Sequence, residues 1–225
     1  MLLALGNPLS FVLLVASFVV AVTAHGWASA LAADRAGDRR PRLEGRAKPD
    51  PRRHVDPFGA VAGAIAGFGW ARPLEPAGPR QRRGQLLASC LSGSAVNLLL
   101  AAAALVGFRL LSGQGIATVS ATQLQHGVTG ASTAERAAFL FGLMNAYVAI
   151  LSLVPLPPLD GGRLLFGLAP RTAGWQKAEY HLVEQNVGIV VLLVLLLLPL
   201  GGPQAVLPAI LDTVVSPLVR LVTGG

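Results

Sequence analysis

One cysteine, four histidines and eleven acidic residues are all that this 225-residue chain offers of the side chains that most often carry chemistry. Cys90 has no partner within the chain, so no intrachain disulfide holds the fold and the redox compartment cannot be read from thiols. Charged residues make up only 13% and aromatic residues 6%, too few for the surface of an ordinary soluble domain. A basic stripe interleaved with aromatics is missing, which argues against nucleic acid as a partner. A basic n-region before the first apolar run is also missing, and that run is longer than a signal peptide's. The small-residue stretch Ala28-Ser29-Ala30 is therefore not read as a cleavage site.

What the chain has in excess is hydrocarbon. Hydrophobic residues reach 53% and the mean hydropathy is +0.60. Four stretches carry no Asp, Glu, Lys or Arg and are long enough to cross a bilayer: Met1–Ala33, Gly84–Phe108, Ala137–Leu159 and Gln185–Leu211. The expected fold class is an all-α multi-pass membrane protein, a bundle of about four to six transmembrane helices forming one domain over residues 1–225.

Between the first and second spans the chain changes character. Asp34 to Asp56 holds eight basic residues, and Pro41, Pro49 and Pro51 exclude a long helix, leaving an irregular loop or a small pair of strands. Phe58–Trp70 is apolar but too short to span, so a re-entrant or interfacial segment is expected there. Its glycines at 59, 63 and 67 permit close approach of another helix, or else form a glycine-rich loop. If this segment does not cross, residues 34–83 form one basic loop region with the re-entrant segment, and 84–222 hold the remaining helices. Eight basic residues from Arg35 to Arg53, then Arg72, Arg80, Arg82 and Arg83, then Arg163, Arg171 and Lys177 fall on one face. That is fifteen of 18, and the positive-inside rule makes that face cytoplasmic, beside anionic lipid. The uncharged Leu110–Ala134 region, with His126, falls on the other. The segment Leu207–Val222, with Asp212, Pro208 and Pro217, reads as a last kinked helix or an interfacial one.

The stretch from Leu153 to Arg163 organises the rest. Pro155, Pro157 and Pro158 must break the third span, and Asp160 then stands on broken backbone before Gly161 and Gly162. A carboxylate at that depth is either functional or a helix N-cap. The topology puts His25, near the end of the first helix, at a similar depth. A lone intramembrane histidine is more often a hydrogen-bonded packing residue than a ligand, and Asp160 opposite it narrows that gap.

Several motifs resemble those of the site-2 protease family of intramembrane zinc metalloproteases. Thr23 to Asp38 is similar to its His-Glu-x-x-His signature with the following small residues and Gly-Asp turn. His54-Val55-Asp56-Pro57-Phe58-Gly59 and Phe68-Gly69-Trp70-Ala71-Arg72-Pro73 resemble the next segments. Ser92 to Ala101, with Asn97, resembles an Ala-Gly-Pro-x-x-Asn helix start, and Asn145 with Val154 to Gly161 resembles the terminal signature. The resemblance implies zinc held by two histidines and an aspartate, with the glutamate as general base. Carried over, His25 and Asp160 match two ligands. The second-ligand position holds Ser29 and the base position holds Gly26, while Ser94 stands for the proline and Ser152 for an asparagine. A neutral hydroxyl is a poor ligand, and losing a positioned base costs roughly 10²–10⁴ in rate. The expectation is a pseudoprotease with zinc absent or weakly bound, binding transmembrane segments of partner proteins with Asn97 and Asn145 among the contacts. An active enzyme with rewired ligands and a plain membrane scaffold are the alternatives. Rescue would have to come from His54 or Asp56 folding back; His181 and Glu184, one helical turn apart, read as a solvated helix start.

Overall fold

The structure, a computed structural model, describes residues 1, 4, 6–75, 82–113, 131–199 and 205–224. His126 and Arg80 lie outside the described residues, as does most of the uncharged region between the second and third spans.

The first span is α1 (Pro8–Arg35), started by Pro8 at its first turn and by the Asn7 side chain, which accepts from the Ser10 amide at 3.1 Å. It ends at Arg35, two residues before Gly37, which lies in the left-handed region. Two single-turn helices follow in the basic loop, α2 (Arg40–Leu43) and α3 (Pro51–His54). Of the two alternatives, an irregular loop or a pair of strands, the first holds: strand pairing is limited, among the described residues, to one antiparallel bridge between Val55 and Ala71. The apolar segment forms α4 (Pro57–Ala66), ten residues and too short to span. Asp56 caps it through the Gly59 amide at 2.8 Å.

Its glycine spacing is used inside the chain. A Cβ at Gly63 would meet the Phe18 ring of α1 at 3.2 Å, and Gly59 lies against the backbone of Trp70 and Gly69 as the chain doubles back. Neither position is left open for a foreign helix.

The centre is a three-helix core of α1, α5 (Arg83–Ser112) and α6 (Thr133–Ser152), each packed on the other two. Phe139, Leu140, Leu143, Met144, Tyr147 and Leu151 of α6 are all buried in it. Outward residues such as Val12, Leu99, Leu110 and Leu221 are exposed, as side chains facing lipid hydrocarbon are.

After α6 the proline run breaks the helix, and α7 (Asp160–Leu168) starts. Leu159, not Asp160, is its N-cap residue, and the Asp160 carboxylate points elsewhere. The helix α8 (Ala173–Glu179) with its wide turn Tyr180–Glu184 meets α9 (Val187–Leu197) at 69°, a broken span hinged at Asn186 in the left-handed region. The last segment is α10 (Val206–Thr223), 18 residues and apolar enough to cross. Its Asp212 accepts a 2.5 Å hydrogen bond from Tyr147 Oη of α6, whose ring stacks on Phe68 at 4.8 Å. Among the described residues four helices (α1, α5, α6, α10) are long and apolar enough to span, or five if the bent pair is one span, within the range the sequence predicts.

Candidate functional site

The topology that places His25 and Asp160 at one depth brings them into contact. His25 Nε2–H donates to Asp160 Oδ2 at 2.8 Å, and Arg163 donates to Oδ1, also at 2.8 Å. Arg163 reaches that oxygen because three residues along a helix return to the same face. Both carboxylate oxygens are therefore engaged, and His25 and Asp160 are 4% and 7% exposed. Arg163 was not singled out as part of this site from the sequence, though its helical spacing from Asp160 was the available signal.

Ser29, one turn beyond His25, is buried with its hydroxyl unpartnered. It faces α5 at Gly93, where a Cβ would lie 2.6 Å from both His25 Nε2 and Ser29 Oγ. Only glycine allows the two helices to approach this closely. A serine, a histidine and an aspartate thus stand together, but not as a nucleophilic triad. Asp160 occupies Nε2, while His25 Nδ1 and Ser29 Oγ each lack any partner, so the ring cannot take a proton from the hydroxyl. A cavity of about 20 Å³, the space of one water, lies among His25, Gly26, Ser29, Trp70, Ser152 and Asp160.

The departures at 94 and 152 meet each other. Ser152 donates to the Ala149 carbonyl at 2.8 Å and accepts from Ser94 at 2.7 Å, tying α5 to α6 at the cavity wall. Asn97 and Asn145 are fully buried but do not line this cavity. The Asn97 amide donates to the Ala21 carbonyl of α1 at 3.3 Å, and that of Asn145 to Phe141 on its own helix at 2.8 Å.

Of the two rescue candidates in the basic loop, Asp56 is spent on capping α4. His54 does fold back: its ring is 0% exposed and packs on Gly26. Burial holds its pKa below the ordinary histidine value, so the ring is neutral near pH 7. Arg46, missed by sequence reasoning, is buried beneath the same loop. Its guanidinium donates to the carbonyls of Arg72 at 2.6 Å and Pro73 at 2.8 Å, and burial lowers its pKa to about 10. His181 and Glu184 are exposed, and His181 bonds Gln185.

A bundle of apolar helices with a His–Asp pair at the broken end of a span defines an integral membrane protein of metalloprotease-like build. The chain belongs to peptidase family M50, the site-2 protease family, which matches residues 11–197. It is 32% identical over 199 residues to a Bacillus subtilis (strain 168) protein named "Putative zinc metalloprotease YwhC", covering 87% of this chain and 85% of that one. No solved structure matches. Helix α10 lies beyond the family-matched stretch.

Zinc is expected for the family, and the residues here can be tested against it. A catalytic zinc needs three protein donors, normally His, Cys, Asp or Glu, and one open position. Among the described residues no three such side chains come together. The two that match are bonded to each other, with a guanidinium on the second carboxylate oxygen. This set does not fit a catalytic zinc.

Proposed function

We propose that this protein is a non-cleaving member of its family, which binds membrane-spanning segments of partner proteins without hydrolysing them. The observation that carries this reading is the direct His25–Asp160 contact with Arg163 on the remaining oxygen. An ion would have to displace a cation and break a buried pair, and Ser29 offers it only a neutral hydroxyl. At the base position Gly26 has no side chain to accept a proton.

What is retained is space beside the site. A groove of about 420 Å³ adjoins the cavity, sharing Pro73, Leu74 and Pro158 with it. Its walls are mainly apolar, including Leu86, Phe166, Leu182 and Ile189, with Asp56, Glu75, Arg163 and Glu179 at polar points. Such a lining suits an apolar segment that ends in polar residues at a membrane surface. The basic loops lie on the cytoplasmic side by the positive-inside rule, in a bacterial plasma membrane.

The test is metal analysis and cleavage on the detergent-purified protein. The expected result is far less than one zinc per chain and no cleavage of a transmembrane substrate. Stoichiometric zinc, with cleavage abolished by a chelator and by Asp160→Ala, overturns it. Crosslinking from cysteines at Phe166 and Val183 should capture a membrane partner through the groove, whereas a plain scaffold would crosslink from lipid-facing positions such as Leu99.

A further inference from the structure

We infer that the groove takes the cytoplasmic end of a membrane segment and selects one whose flank carries lysine or arginine, which Glu75 and Glu179 meet. This deepens the reading of the groove as a seat for partner segments and rests on it.

The depth of the groove comes first. Leu86 on its wall is the fourth residue of α5, and Ile189 is the third of α9. Pro157 and Phe166 follow the end of α6, and Glu75 belongs to the basic loop region. None of these comes from the middle of a span. The walls are also packed on one another. A Cβ at Gly167 of α7 would collide with the Leu86 side chain, and one at Gly188 of α9 would stand 2.6 Å from the Pro157 carbonyl oxygen. The groove thus lies at the end of the bundle from which the basic loops issue. A volume of about 420 Å³ suits a few residues at the end of a segment rather than its whole length.

Charge then selects the occupant. The cytoplasmic end of a membrane span carries an excess of Lys and Arg, by the same rule that orients this chain. The groove is charged the other way. In a chain of net charge +7, the ionisable groups on its walls are Asp56, Glu75, Glu179 and Arg163. Arg163 is committed to Asp160, and Asp56 gives one oxygen to the Gly59 amide. Glu75 and Glu179 are exposed, and neither forms an ion pair with a described residue. Arg40 reaches the Glu75 main-chain carbonyl at 3.5 Å, but its own charge is paired with Asp38. The polar hollow next to the groove shares Asp56 and Glu75 and adds Arg46, Arg53 and Arg72, so a basic flank is kept on the groove side. An ammonium or guanidinium arriving there finds two unmatched carboxylates, and an arriving carboxylate is repelled.

The experiment uses the full-length protein in a non-ionic detergent and two synthetic peptides. Both have the same apolar core of about 20 residues, with Lys-Lys or Glu-Glu at the same end. A photoreactive label on a cysteine introduced at Val183 reports occupancy of the groove, Cys90 being buried. At low ionic strength the Lys-Lys peptide should bind about tenfold more tightly, and at about 0.5 M salt the preference should shrink below about threefold. Glu75→Lys/Glu179→Lys, with an unchanged Tm, should reverse the order. Equal affinity with equal crosslinking for the two peptides, or an unreversed order in the variant, overturns the charge preference and leaves the groove reading standing. Failure of both peptides to crosslink removes the groove reading, and the inference with it.

Discussion

His25 and Asp160, 135 residues apart in sequence, meet at 2.8 Å where α1 passes the broken end of the third span. Removing either partner is not equivalent. Asp160→Ala leaves an imidazole and the Arg163 guanidinium without their shared acceptor, both in a buried setting. His25→Ala leaves Asp160 still paired with Arg163. Breaking a buried pair costs about 3–5 kcal/mol when a charge is stranded. Asp160→Ala should therefore destabilise more than His25→Ala, by thermal unfolding in detergent. A larger loss from His25→Ala would contradict this arrangement.

Chelation should leave stability unchanged. A protein whose native state binds zinc loses the linkage contribution when the metal is removed, about 2.7 kcal/mol at a hundredfold excess over Kd. Here the described residues bring together no three side chains of the kind that hold zinc, so incubation with EDTA should not shift Tm.

The buried His54 ring predicts a pH dependence with a definite sign. Its folded pKa lies below the ordinary value of 6.5, so the unfolded chain takes up the proton more readily. The associated stability is complete above about pH 6.5 and declines as pH falls toward the lowered folded value. A Tm profile from about pH 7 to 5 should fall less steeply in His54→Gln than in the parent.

Tyr147→Phe keeps the stack on Phe68 but removes the hydroxyl that donates to Asp212. Polar contacts between membrane helices average about 0.6 kcal/mol, with a maximum near 1.7. The loss should be about 1 kcal/mol, read as a lower Tm together with faster protease cleavage around α10.

Arg46→Lys keeps the charge and still disrupts the loop. One ammonium cannot reproduce the planar fork that reaches the Arg72 and Pro73 carbonyls together. Limited proteolysis within residues 40–56 should accelerate several-fold, while the helical content measured by circular dichroism stays the same.

The spans were legible because a bilayer imposes length and apolarity on any helix that crosses it. The Pro155–Pro158 break and the lone Asp160 carboxylate marked the site, and topology alone put His25 at its depth. The way Asp160 is used was less legible: as the first residue of α7 it looks like a cap, yet it turns to α1 and Arg163. Residues 34–75 were harder still. Arg46 and His54 sit among exposed arginines in a proline-rich loop, and no periodicity separates the buried ones. Their burial depends on where Arg72 and Pro73 return, a tertiary fact. The Ser94–Ser152 bond was hidden for a related reason, since each serine alone reads as a loss.

The carbonyls of Arg72 and Pro73 are already bound to Arg46, the Arg72 amide to His54, and Pro73 has no amide hydrogen to offer. A visiting segment beside the groove thus finds no free amide at Arg72 or Pro73 and meets carbonyls that already accept from Arg46. On the proposal that the groove takes a membrane segment, side-group shape and oiliness, rather than main-chain pairing at these two residues, would do the sorting along its apolar walls.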